Sequence, residues 1–228
     1  MIYQSKYLKK LVKRPKSALF SFFDQSIIEN QDIIADMQKK TLFLAKPQMI
    51  YHEAFIEAVK ELQALEHDRY YVEKNLDVKA LAQKEYFAAY LKDLAQQEAG
   101  INLPAKRVAQ TIYWLMEKQA DGQISCLGRV SIRHQLTEHL RKIGGHIGYV
   151  IRPSARRQGY GTKLLALALD KVNQGQPEID GKQALLTCDE TNLGSKKIIE
   201  KNGGVFSSYT KQETPLPRKL LYWVKLNP

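Results

Sequence analysis

The feature that most constrains this fold is a direct succession of strand, glycine turn and helix between residues 146 and 173. Residues 146–152 carry β-branched and aromatic side chains and stop at Pro153, which is typical of a buried strand. The turn Gly159-Tyr160-Gly161 then opens a run whose apolar residues share one helical face. A strand that passes into a helix in this way favours an α/β fold.

The remaining patterns supply the other elements of such a fold. Helical periodicity predicts helices over 49–66, 79–97 and from Asn192 to Gly203. β-Branched and apolar runs predict strands over 111–116, 124–132, 184–188, 205–209 and 220–226. The order of these elements indicates an α/β protein with a mixed sheet.

Residues 1–45 are predicted to be a basic, amphipathic helical extension, and residues 46–228 the main domain. Residues 1–23 hold six Lys and Arg and no acid, which is six of the net charge of +11. We expect the extension to dock its apolar face on the main domain. The alternatives are a targeting presequence, association with nucleic acid or an anionic membrane, and a coding start at Met37.

Composition excludes several other classes of protein. The 228 residues are 44% hydrophobic and 26% charged, as in ordinary globular proteins, and no run approaches the ~20 apolar residues of a membrane helix. The two cysteines, Cys126 and Cys188, cannot form a disulfide framework and fit a reducing compartment. We therefore expect a cytoplasmic protein.

The glycine turn has the chemistry of an anion site. Main-chain N–H groups at a helix start lack intrahelical partners, and glycine lets a ligand approach them closely. A dinucleotide fingerprint is excluded because Leu164 stands where it needs a third glycine. A P-loop is excluded because the order is Gly161-Thr162-Lys163. A phosphate or pyrophosphate of another ligand class is the expected guest.

Arg156-x-x-Gly159-x-Gly161 resembles the pyrophosphate loop, [Q/R]-x-x-G-x-[G/A], of the GNAT superfamily of acyl-CoA N-acetyltransferases. Asn192-x-x-Ser195, which opens the next predicted helix, and the order of elements match as well. The resemblance covers about residues 46–228, and its details are similar to a bacterial subgroup of predicted acetyltransferases. It implies a central mixed β-sheet flanked by helices, with the extension added at the N-terminus.

The resemblance also implies acetyl-CoA as co-substrate and assigns residues to it. The main chain of Val150, Ile151 and Arg152 would pair with the pantetheine arm, and one N–H there would polarise the thioester carbonyl. Asn192 and Ser195 would face the pantetheine or the sulfur. The pyrophosphate would be held by the loop residues Arg156, Arg157, Gln158, Gly159, Tyr160, Gly161 and Thr162.

The implied reaction is direct attack of a primary amine on the thioester in a ternary complex. An amine attacks only when neutral, so a base is useful, and His146 stands where several family members carry a glutamate base. Glu138 and His134 are weaker candidates for the base. His134 and His139 lack a recognised ligand spacing, so no metal is expected.

The acid that protonates the leaving thiolate is left open by the sequence. Many family members carry a tyrosine where this chain has Ile199, counted from Asn192. Ser195, a nearby tyrosine or water must then take its place.

Two other classes of function compete with catalysis. One is a sensor or subunit of the same fold that binds acyl-CoA without turnover. The other is nucleic-acid or membrane association through the basic extension, although nucleic acid is disfavoured as a partner. The acceptor, a small molecule or a peptide or protein amine, is left open, as is the oligomeric state, a homodimer included.

Overall fold

A computed structural model describes residues 40–64, 75–210 and 217–227. The strands within these residues are β1 Thr41–Ala45, β2 Gln110–Lys118, β3 Ile124–Arg133, β4 Ile147–Ile151, β5 Gln183–Asp189, β6 Val205–Tyr209 and β7 Lys219–Lys225. The helices are α1 His52–Gln63, α2 Val78–Leu81, α3 Lys84–Ala99, α4 Glu138–Lys142, α5 Tyr160–Asn173 and α6 Leu193–Lys201. Residues 1–39 of the predicted helical extension lie outside the described residues.

The strands form two sheets, with β1-β2-β3-β4 in one and β5-β7-β6 in the other. The pairings of β2 with β3, β3 with β4, β5 with β7 and β6 with β7 are antiparallel. The α/β prediction is confirmed, and the division between the sheets falls between β4 and β5.

The helices cover both faces of the first sheet. On one face Phe55 of α1 stacks on Trp114 of β2 with ring centroids 4.3 Å apart, and Phe87 of α3 joins this cluster. On the other face the apolar side of α5, which includes Leu164 and Leu165, packs into the main core. Neighbouring residues of β2 enter opposite clusters because strand side chains alternate between faces.

Two predicted boundaries need correction. Residues 41–45 were predicted to belong to the helical extension, but they form β1 and join the sheet beside β2. The helix predicted over 79–97 is divided into α2 and α3, because Gln83 has an extended backbone that ends one helix and starts the next.

Candidate active site

The edge of β4 that faces away from β3 is open. Beside the two ends of β4, the Arg152 N–H donates to the Leu127 carbonyl at 2.9 Å and the Arg133 N–H donates to the His146 carbonyl at 2.8 Å. In this register the even-numbered residues of β4, Gly148 and Val150, direct their main chain at β3. By the alternation of an antiparallel ladder, Tyr149 and Ile151 direct theirs at the opposite edge. Within the described part of the chain, no strand pairs with β4 there.

This register revises the predicted contacts of the pantetheine arm. Ile151 keeps its place on the open edge, but Val150 and Arg152 use their main-chain groups on β3. Tyr149 was not among the predicted residues, although its N–H and carbonyl share the open edge with those of Ile151.

The helix start beyond β4 carries no side-chain cap. Gly159 is the N-cap of α5, with φ +84°, a left-handed conformation that favours glycine. The helices α2, α4 and α6 have caps, because a side-chain oxygen of Asp77, Thr137 or Asn192 accepts a main-chain N–H. The first N–H groups of α5 are therefore left to a ligand or to solvent.

The second glycine of the turn has a packing role. A Cβ built on Gly161 would lie 2.6 Å from Cδ1 of Ile198, a side chain of α6. A Cβ on Gly159 would meet no heavy atom within 4 Å. The two glycines thus have different roles, since Gly159 supplies the positive φ of the turn and Gly161 lets α5 and α6 pack closely against each other.

The other predicted loop residues cluster around the turn but differ in what they contact. Arg156 donates from Nε to the Ile151 carbonyl at 3.0 Å, and Gln158 donates to the Ser154 carbonyl at 2.8 Å. Arg157 is exposed and has φ +60°. The predicted loop is completed by Tyr160, whose hydroxyl donates to Glu117, and Thr162, whose carbonyl accepts from Asn202.

A carboxylate that the sequence did not single out fixes the end of β4. Glu61 of α1 accepts from Arg152 Nε at 2.5 Å, from Ser154 Oγ at 2.9 Å and from the Ser154 N–H. Burial raises the pKa of Glu61, but these hydrogen bonds outweigh it and hold the pKa below its usual value. Arg152 therefore positions the strand end.

His146 is buried and fully bonded, which contradicts its predicted role as the general base. Its Nδ1 accepts the Leu185 N–H at 2.9 Å, and its Nε2 lies 2.6 Å from Asp180 Oδ1. An acceptor at Nδ1 requires the neutral tautomer with a proton on Nε2, which then donates to Asp180. Burial lowers the pKa of His146, against the opposing effect of Asp180. Neither nitrogen can accept a proton from an amine.

The other predicted bases are placed differently. Glu138 is exposed at the first position of α4. His134 is half-buried, and its Nε2 lies 2.9 Å from Thr111 Oγ1. Burial lowers the pKa of His134.

A tyrosine and a serine meet across the division between the sheets. The Tyr149 hydroxyl of β4 lies 2.8 Å from Ser195 Oγ in the first turn of α6. Burial is the main reason that the pKa of Tyr149 is raised, so the phenol is protonated near neutral pH. Asn192 accepts the Ser195 N–H at 2.9 Å and so caps α6. Ser195 and Tyr149 are thus brought together, and Asn192 supports them.

The divided sheet, the open strand edge and the glycine at the start of α5 agree with an acyl-CoA-dependent transferase. The family model described as "Acetyltransferase (GNAT) domain" matches residues 61–205. The chain belongs to this family, and it is an acetyl-CoA-dependent acyltransferase. No curated protein matches the chain in sequence.

Solved structures agree on the fold. Mycobacterium smegmatis RimJ in complex with a CoA disulfide is 17% identical with a TM-score of 0.54, and the match covers 81% of each chain. RimL, a ribosomal L7/L12 α-N-protein acetyltransferase in complex with CoA, is 15% identical with a TM-score of 0.53 over 83% of this chain and 97% of that one. The microcin C7 self-immunity acetyltransferase MccE, in complex with acetyl-CoA and AMP, is 12% identical with a TM-score of 0.52 over 81% and 92%.

The described residues contain neither a cluster of metal-binding side chains nor a membrane-spanning helix. No group of three or more His, Cys, Asp and Glu residues in ranges 40–64, 75–210 and 217–227 could hold a metal ion. In the same ranges, no helix combines the length and apolar character needed to cross a membrane.

Proposed function

We propose that this protein is an N-acetyltransferase that moves an acetyl group from acetyl-CoA to a primary amine by direct attack in a ternary complex. The observation that carries the proposal is the open edge of β4, which leads to the uncapped, glycine-started helix α5. The strand edge suits the amides of a pantetheine arm, and the helix start suits a diphosphate.

The residues that would hold acetyl-CoA follow from this geometry. Main-chain N–H groups from Gly159 to Thr162 would bind the pyrophosphate, with charge assistance from the exposed guanidinium of Arg157. The main chain of Tyr149 and Ile151 would take the role predicted for Val150 to Arg152. Arg156 supports the site through the Ile151 carbonyl.

Tyr149 is proposed as the acid for the departing sulfur. Acetyl-CoA supplies an acyl group activated by a thiol leaving group. Ser195 lies within hydrogen-bond distance of the Tyr149 hydroxyl and orients it, and a phenol with an ordinary pKa of ~10 carries its proton at neutral pH. Tyr149 would thus replace the tyrosine that many family members carry at the position of Ile199.

No side chain takes the role of base in this proposal. Since both nitrogens of His146 are engaged, the acceptor ammonium loses its proton to solvent. The rate should then depend on pH through the acceptor amine itself, whose pKa is ~10.4 for an alkylammonium.

Calorimetry and an amine panel test the proposal. The full chain should bind acetyl-CoA in calorimetric titration, and mass spectrometry should detect N-acetylated products from a panel that includes alkylamines, amino acids, polyamines and peptides. A folded protein that does not bind acetyl-CoA would refute the proposal. Binding without a product from any amine would favour the sensor.

A further inference from the structure

A strongly basic pocket lies before the start of β4, away from the glycine turn that follows its end. The pocket has a volume of about 230 Å³ and is lined by Lys106, Arg107, Val108, Gln110, Arg133, His139 and Leu140. Three of these residues are Lys or Arg, and none of the described lining residues is acidic.

Arg133 is the central cation of this pocket. It is partly buried, and its Nη1 donates to the carbonyls of Gly144 and Gly145 at 3.1 and 2.9 Å. These two bonds use one of the three guanidinium nitrogens, which leaves Nε and Nη2 for other acceptors. Within residues 40–64, 75–210 and 217–227, no salt bridge involves Arg133, Arg107 or Lys106.

The cations of the pocket act on one another. Burial, followed by the charges of Arg129 and Arg107, lowers the pKa of Arg133 to about 10. Like charges that are brought together in a partly desolvated pocket repel, and an anion relieves that repulsion. A guanidinium is suited to the planar, bidentate recognition of a carboxylate or a phosphate.

The position of the pocket separates it from the coenzyme loop. Arg133 bonds to residues directly before β4, whereas the glycine turn begins eight residues after the last residue of that strand, Ile151. The five residues of β4 span about 16 Å in an extended chain. An anion in the pocket and a diphosphate at the turn would therefore lie at opposite ends of β4.

We propose that this pocket binds an anionic group, a carboxylate or a phosphate, of the acceptor amine. The inference rests on the proposed acetyl transfer and narrows the acceptor to amines that carry such a group. The partly buried Arg133 makes the inner contact, and the exposed Lys106 and Arg107 complete the charge at the rim.

Direct binding of inorganic phosphate tests the pocket without turnover. Lys106 and Arg107 are exposed, so the variant K106Q/R107Q removes two charges without opening the core. The matched control K79Q/K92Q removes two exposed charges from α2 and α3. At constant ionic strength, NMR titration should give phosphate affinity about tenfold or more weaker in K106Q/R107Q and unchanged in the control. Equal affinity in both variants overturns the proposal.

Matched acceptor pairs test the link to catalysis and identify the anion. Amino acids are compared with their amides, and phosphoethanolamine with ethanolamine. The wild type should prefer the anionic member of at least one pair by tenfold or more in kcat/KM, and K106Q/R107Q should lose the preference with KM for acetyl-CoA unchanged. Equal kcat/KM within every pair refutes the acceptor assignment. If no amine is acetylated, the proposed function fails, and the phosphate titration still decides whether the pocket binds anions.

Discussion

Replacing His146 with Leu separates a structural role from a catalytic one. The imidazole bonds to the Leu185 N–H at 2.9 Å and to Asp180 at 2.6 Å, and so ties the residue before β4 to β5 and to the loop that precedes β5. Leu is similar in size, so the substitution removes the two bonds with little change in volume. We expect a large loss of stability.

The magnitude follows from what the two partners lose. Leu185 is 1% exposed, so its N–H would lose its acceptor at a site that water does not reach, which costs about 1–3 kcal/mol. Asp180 is 41% exposed and also pairs with Arg141, so its loss is small, about 0–1 kcal/mol. The free energy of unfolding of H146L should fall by about 1–4 kcal/mol.

Urea unfolding monitored by circular dichroism measures this loss, with D180N as the matched control. D180N should lose less than H146L, because it leaves the buried Leu185 N–H bonded. The reasoning is refuted if H146L unfolds at the wild-type urea midpoint while turnover falls by orders of magnitude, since a general base would behave in that way.

The same pair of bonds predicts a dependence of stability on pH. The folded-state pKa of His146 lies below its ordinary value of 6.5, so the unfolded chain binds more protons as the pH falls. This contribution to stability is therefore complete above about pH 6.5 and is lost as the pH falls through the folded pKa. The loss should be smaller in H146L, and equal pH profiles of unfolding free energy would contradict the assignment.

Three further expectations follow from the site. Tyr149→Phe should lower kcat about tenfold or more with KM for acetyl-CoA unchanged, and an unchanged kcat would exclude Tyr149 as the acid. Gly159→Ala should lower the free energy of unfolding by roughly 1–2 kcal/mol through its positive φ and should weaken CoA binding. Gly161→Ala should lower the free energy of unfolding by about 1–3 kcal/mol through contact with Ile198. Urea unfolding measures the two losses of stability and calorimetry the CoA affinities, and equal CoA affinities in the two variants would argue against the division of roles. With an alkylamine, kcat/KM should rise about tenfold per pH unit from pH ~7 to ~9, and a plateau above pH ~6.5 would indicate a histidine base.

The turn and the order of elements could be predicted because their signals are local. Gly159 takes a positive φ, Asn192 caps a helix, and β2 and β3 flank a short turn, so each feature lies within a few residues of its cause. β1 was missed because its residues enter two clusters, Leu42 and Leu44 in one and Phe43 and Ala45 in the other. A strand with apolar residues on both faces has no polar alternation and cannot be distinguished from a short piece of helix.

The chemistry of the site could not be predicted in the same way, because its pairs are distant in sequence. His146 is 34 residues from Asp180, and Tyr149 is 46 residues from Ser195. A histidine on a strand has the same sequence pattern whether its nitrogens are free or bonded. Only the fold shows that Leu185 and Asp180 occupy both ring nitrogens of His146, so that neither nitrogen is left for an amine.

The proposed acid, Tyr149, lies on β4 and not at the motif position on α6, which Ile199 occupies. Ile199 is 1% exposed and packs in the main core with α5. The Tyr149 hydroxyl reaches α6 from the opposite side of the division and meets Ser195 in its first turn. The reaction needs a protonated hydroxyl beside the sulfur, and any helix or strand that places a hydroxyl there can supply it. In the proposed mechanism the acid therefore comes from β4 and not from α6.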